Sequence, residues 1–154
     1  MIPYSRQYID EEDIKAVGEV LRSEWITQGP KIAEFEKRVA DYCRVKFAGA
    51  VSSGTAALHL ACLAAGISNG DEVITSPLTF VASANCALYV GATPVFSDIL
   101  PDTCCIDPAS IRGKVSGRTR AIITVDFAGH PCDMEQVNEI AKSRNIVMIE
   151  DAAH

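Results

Sequence analysis

Ala121-Ile122-Ile123-Thr124-Val125-Asp126 and Ile146-Val147-Met148-Ile149-Glu150-Asp151 decide the fold class. Each is a short, nearly continuous apolar run closed by an acid. Between them Asp133 stands where a helix N-cap belongs, and the stretch to about Arg144 reads as a helix. Strand, helix, strand in that order predicts a parallel βαβ unit. Strands that are apolar throughout are those that bury both faces of a sheet.

The same alternation extends upstream. Residues 47–51 read as a strand, and Ser53-Gly54-Thr55 turns into a helix over 56–65 that Gly66 closes. A short strand over 73–75 is followed by a helix over 80–90, closed by Gly91, and by a strand over 94–97. Asp107 starts a short helical turn. Nearer the N-terminus, Asp10 opens a helix, with Asp13 as its capping-box partner and Ile14, Val17 and Leu21 at helical spacing. Residues 25–30 break it, and a second helix carries Ile32, Phe35, Val39 and Tyr42 on one face. The expected architecture is α/β, a mostly parallel sheet flanked by helices over 46–154, with a helical N-terminal arm over 1–45.

Composition narrows the function classes. A net charge of −6 over 154 residues argues against nucleic acid and anionic membranes as partners. No apolar run is long enough to span a bilayer, and acidic residues follow Met1 where a signal peptide would place its apolar run. The six cysteines include no C-x-x-C pair, which predicts reduced thiols and a cytoplasmic protein. His59, His130 and His154 have no paired spacing, so no metal site is expected.

Three features fall at the carboxyl ends of strands, where open parallel sheets bind ligands. Ser53-Gly54-Thr55-Ala56 leads into a helix whose free N–H groups suit a phosphate; the plainer reading is that Ser53 and Thr55 only cap the helix. Asp151 can hold a proton on a ring nitrogen, or it is a solvated strand-end acid. Phe80 can stack on a flat ligand, or it is a core residue at the start of a helix.

Read in order, six segments are more specific than any one alone. They are residues 25–29 (WITQG), 53–58 (SGTAAL), 77–85 (PLTFVASAN), 91–96 (GATPVF), 125–131 (VDFAGHP) and 150–154 (EDAAH). Together they closely resemble the sugar-nucleotide aminotransferase family of fold-type I pyridoxal-phosphate (PLP) enzymes. The resemblance implies a partial large domain of the aspartate-aminotransferase-like PLP fold. It implies that Gly54, Thr55 and Ala56 hold the cofactor phosphate, that Phe80 lies against the pyridine ring, and that Asp151 pairs with the ring nitrogen. His154 would sit near the cofactor's ring oxygen. Tyr4, Trp25, Ile26, Thr27 and Ser53 match segments that line the sugar-nucleotide pocket.

Within the family, Pro3-Tyr4-Ser5 and residues 125–129 point to pseudaminic-acid-type biosynthesis, with a UDP-4-keto-6-deoxy amino sugar as substrate and glutamate as amino donor. The family is dimeric, so a second copy of the chain is an expected partner. No residue of this sequence is assigned the covalent catalytic role, because the family carries its Schiff-base lysine beyond the position of His154. The lysines here, Lys15, Lys31, Lys37, Lys46, Lys114 and Lys142, lie in other contexts. The chain therefore reads as the front part of such an enzyme, inactive and not a stable monomer by itself. Two alternatives stand beside this reading: a sugar dehydratase of the same family, with histidine in place of the lysine, and a non-catalytic module that binds phosphate or a nucleotide.

Overall fold

The structure is a computed structural model, and it describes residues 6–154. Its contacts divide the chain into two compact units, one ending at Ala50 and the other running from Val51 to His154.

The first unit holds two helices, α1 (Glu11–Leu21) and α2 (Pro30–Cys43). The capping box expected at Asp10 forms in full: its side chain accepts from the N–H of Glu12 and Asp13, and its own N–H donates to Asp13. Pro30 opens α2, where a missing N–H costs nothing. Neither helix buries a residue among those described. Ile14, Val17, Leu21 and Phe35 are all exposed, so these apolar stripes meet no partner within the unit.

The strand expected over 47–51 does not form. Those residues join no ladder among the described residues. A strand exists only through hydrogen bonds to a neighbour, and an apolar run cannot supply one by itself.

The second unit is the βαβ assembly. Its elements are α3 (Gly54–Ala64), β1 (Glu72–Thr75), α4 (Ala82–Tyr89), β2 (Thr93–Phe96), α5 (Pro108–Lys114), β3 (Thr119–Val125), α6 (Met134–Arg144) and β4 (Val147–Asp151). The strands of the sheet all pair in parallel, in the order β2-β1-β3-β4. The α/β class and parallel sheet expected from sequence are thus present.

Burial follows the alternation of side chains along the strands. Val73, Ala121 and Ile123 pack with Leu58 and Cys62 of α3 and Cys86 and Ala87 of α4 on one face. Ile74 and Ile122 point the other way, toward Ile111 of α5 and Val137 and Ile140 of α6. Both central strands are covered on two sides, which is why they carry no polar alternation. Each such Ile or Val contributes roughly 1.5–3 kcal/mol of burial. The edge strands β2 and β4 stay partly exposed.

Turn chemistry holds the helices at length. Gly66 sits at φ 70 beyond α3, a left-handed conformation where glycine has no steric penalty, and Ile67 N–H reaches back to the Cys62 carbonyl. All six cysteines are free thiols. No helix of the described residues is long and apolar enough to cross a membrane, and no acidic, histidine and cysteine side chains cluster to hold a metal.

Candidate functional site

The strand order creates the site. From β1 the chain steps sideways to β2 through α4, then crosses back over β1 to β3 and continues to β4. The direction reverses between β1 and β3, and crevices open outside the carboxyl ends of strands at such a point. The segments after β1 and β3 and the end of β4 meet there.

Asp151 is the last residue of β4, rather than the first residue after it. Its carbonyl accepts from Asp126 N–H at 3.1 Å, which ties the ends of β3 and β4 together. Its carboxylate Oδ2 accepts from Ser83 Oγ at 2.7 Å, and Oδ1 from Ala153 N–H at 3.4 Å. Two recesses share Asp151 as a wall. One, of about 260 Å³, is lined by Gly54, Ala57, Leu58 and Ala61 of α3 together with residues 149–153. The other, of about 30 Å³, is lined by Thr79, Phe80, Val125, Asp151, Ala153 and His154. All six residues expected to hold a cofactor lie in this one unit, and four of them, Gly54, Phe80, Asp151 and His154, line these recesses.

The start of α3 does two things at once. Ser53 is the N-cap, and its Oγ accepts from Ala56 N–H at 3.2 Å. The capping reading of this serine is therefore correct, and the Ala56 N–H is already engaged. The N–H groups of Gly54 and Thr55 belong to the first turn, where the helix offers no carbonyl. A Cβ placed on Gly54 would meet no heavy atom within 4 Å, so the approach to that turn is open. An anion of phosphate size fits beside two such N–H groups at a helix end.

Phe80 is not core. It precedes α4 instead of beginning it, and the residue is 70% exposed beside Asp151 and His154. A large exposed aromatic side chain at the rim of a recess can cover a flat ligand. His154 is held by Ala128 N–H, which donates to Nδ1 at 3.1 Å, and by an edge contact with Phe127. The neighbouring Glu150 carboxyl is pushed up by burial and by the nearby Asp126 carboxyl.

Trp25, Ile26 and Thr27 lie in the first unit, all exposed. Tyr4 lies outside the described residues. None of the lysines lines either recess. Lys31 and Lys37 pair with Glu34 and Asp41 on α2, and Lys46 lies over the Phe47 ring. Sequence reasoning missed Ser83, the partner of Asp151. A serine inside an apolar helical run was the available signal.

A helix N-terminus with open space beside Gly54, an exposed aromatic residue and a strand-end carboxylate surround two recesses that share Asp151, features that suit a flat, phosphorylated, nitrogen-containing ring such as PLP. Residues 7–154 match the DegT/DnrJ/EryC1/StrS aminotransferase family, and the chain belongs to it. A curated relative, GDP-perosamine synthase of Escherichia coli O157:H7, is 46% identical over 153 residues, which is 99% of this chain and 42% of that protein. The Streptococcus pneumoniae protein Spr1654, solved in PLP and PMP forms, superposes with a TM-score of 0.92 in the PLP form. It is 36% identical to this chain, and the match covers 99% of this chain and 43% of that one. Helicobacter pylori PseC, an aminotransferase involved in the biosynthesis of pseudoaminic acid, superposes with a TM-score of 0.87 at 36% identity, covering 97% of this chain and 40% of that one. The family and cofactor expected from the sequence agree with these findings. The chain spans about two fifths of the length of the curated relatives it matches.

Proposed function

We propose that this chain forms the cofactor-holding part of an aminotransferase that moves an amino group from glutamate to the keto carbon of a nucleotide-linked 6-deoxy sugar. The observation that carries the reading is Asp151, one carboxylate shared by the recess under α3 and the recess of Phe80 and His154. When bound, PLP supplies an electron sink whose strength depends on a protonated ring nitrogen. Asp151 holds that proton in place. Gly54 and Thr55 donate N–H groups to the phosphate, and Ala56 closes the same turn. Phe80 lies on the ring face and keeps water from it. His154 sits at the ring oxygen. The covalent lysine and its proton shuttling belong to a segment beyond His154 in the whole protein.

The substrate assigned is a UDP-4-keto-6-deoxy amino sugar of the pseudaminic acid type, making the whole enzyme a UDP-4-amino-4,6-dideoxy-N-acetyl-β-L-altrosamine transaminase. The likeness to PseC and the segment over 125–129 support it. Tyr4, Trp25, Ile26, Thr27 and Ser53 serve as sugar-nucleotide contacts, and the working form is a cytoplasmic homodimer. A second reading has a specific observation in its favour. The GDP-perosamine synthase is 46% identical where PseC is 36%, which favours a GDP-linked sugar.

The test supplies the whole protein with glutamate and either a UDP-linked or a GDP-linked 4-keto-6-deoxy sugar, and follows the 2-oxoglutarate and amino sugar formed. Turnover with the UDP sugar is expected, and turnover with only the GDP sugar moves the assignment to the second reading. Binding of inorganic phosphate and UDP without selectivity for pyridoxamine phosphate makes the chain an anion-binding module instead.

A further inference from the structure

Ser83 is a polar side chain inside an apolar layer. It lies in the first turn of α4, fully buried, between Ala82 and Ala84 and one turn before Cys86 and Ala87. A serine hydroxyl has one proton to give and two lone pairs to receive with. Three oxygens compete for that proton: Asp151 Oδ2 at 2.7 Å, Thr79 Oγ1 at 2.8 Å and the Phe80 carbonyl at 3.2 Å. An ionised carboxylate only accepts, and charge-assisted bonds are both the shortest and the strongest. The Ser83 proton therefore goes to Asp151. Thr79, whose hydroxyl is also within reach, donates its own proton to Ser83 Oγ. The result is a one-way chain, Thr79 Oγ1–H to Ser83 Oγ–H to Asp151 Oδ2.

The plainer account is that Ser83 bonds back to the Phe80 carbonyl three residues earlier, as serines near helix starts often do. Two observations favour the carboxylate. The bond to Asp151 is shorter by 0.5 Å than the bond to Phe80 (2.7 against 3.2 Å). It also joins residues 68 apart in sequence, so α4 and β4 are held in one register by it. Among the described residues the other carboxylate oxygen, Oδ1, receives one long contact, of 3.4 Å from Ala153 N–H.

We propose that Ser83 is a positioning residue for Asp151: with Thr79 behind it, it pins Oδ2 and leaves Oδ1 to meet the cofactor's ring nitrogen. The inference rests on the role proposed for Asp151 toward that nitrogen. A carboxylate fixed at one oxygen loses less freedom on pairing through the other, so binding gains from the restraint.

The experiment titrates the full chain with pyridoxamine phosphate and with its 1-deaza analogue, in which a C–H replaces the ring nitrogen. Neither ligand needs a covalent lysine, and the ratio of the two affinities isolates the ring-nitrogen contact. Wild type, Ser83→Ala, Ser83→Thr and Thr79→Val are compared, with circular dichroism as the folding check. The wild type is expected to prefer pyridoxamine phosphate. Ser83→Ala should cut that preference roughly tenfold, the size of one lost charge-assisted hydrogen bond. Ser83→Thr should restore it, and Thr79→Val should reduce it by a smaller factor. A folded Ser83→Ala with an unchanged ratio, or with both affinities lowered equally, overturns the proposal and leaves the role of Asp151 standing. If Ser83→Ala does not fold, an unchanged ratio in Thr79→Val overturns it. A wild type without any preference overturns the role of Asp151 itself, and this inference with it.

Discussion

The backbone N–H of Ala128 donates to His154 Nδ1 at 3.1 Å. Ala128 stands at φ 54 in the turn Phe127–Gly129, a left-handed conformation that a non-glycine residue rarely takes. Strain of this kind persists only where surrounding contacts fix it, and it clusters at ligand sites. An Nδ1 that accepts carries a lone pair, so in the neutral ring the proton is on Nε2. Nitrogen-15 NMR of the histidine-labelled chain should show His154 with a pyridine-type Nδ1 and a pyrrole-type Nε2 whenever the ring is neutral. The reverse tautomer would sink this account of the turn.

Phe80 separates packing from binding. The residue is 70% exposed, and it lines the recess of Asp151 and His154 rather than the layer of α4. Phe80→Ala is therefore expected to leave the melting temperature within about 2 °C of wild type, as a surface substitution does. The same change should weaken pyridoxamine phosphate binding by roughly 3- to 10-fold, the worth of one aromatic stacking contact. A large fall in melting temperature with no change in affinity would return Phe80 to the core.

What was legible in the sequence follows from what is local. Val73–Ile74 and Ala121–Ile122–Ile123 are apolar on both sides, so a doubly covered parallel sheet could be read from them directly. Asp10, Asp107 and Asp133 were legible as N-caps because each satisfies N–H groups a few residues away. Residues 47–51 were misread because pairing depends on a partner strand far along the chain, not on composition. The candidate site split along the same line. Gly54 opens a helix, Phe80 follows the turn after β1 and Asp151 ends β4, so each could be picked out singly. The bond from Ser83 to Asp151 spans 68 residues, and no spacing rule reaches that far.

At the opposite end of the sheet, Glu72 anchors the start of β1. The Ser116 hydroxyl and then the Arg118 guanidinium hold its carboxyl below the usual value of 4.5. A depressed carboxylate stabilises the fold above its unfolded pKa, and that contribution is lost as pH falls through the folded value. Glu72→Gln should lower stability at pH 7 by about 1 kcal/mol, allowing for the exposed Arg118 partner. In thermal melts the gap between the two proteins should narrow steadily below pH 4.5. A gap that stays constant into acid would mean the glutamine costs packing and not charge.

Glu150 should respond with the opposite sign. Burial raises its carboxyl first, and the adjacent Asp126 raises it further through a shared hydrogen bond and charge. Asp126 cannot move away, because Cys132 N–H donates to its Oδ1 at 3.1 Å. A raised carboxyl binds its proton more tightly in the folded chain than in the unfolded one. Its deprotonation therefore costs stability as pH rises through the window above the ordinary value of 4.5. Glu150→Gln mimics the protonated form and removes that cost, so the variant should melt slightly higher than wild type at pH 7, the exposure of Glu150 to solvent keeping the gain small. The advantage should shrink as pH falls and disappear below pH 4.5, where the wild-type carboxyl is protonated in both states. A variant that melts lower than wild type at pH 7 would show that ionised Glu150 makes a favourable contact, and the repulsion from Asp126 would then have to be abandoned.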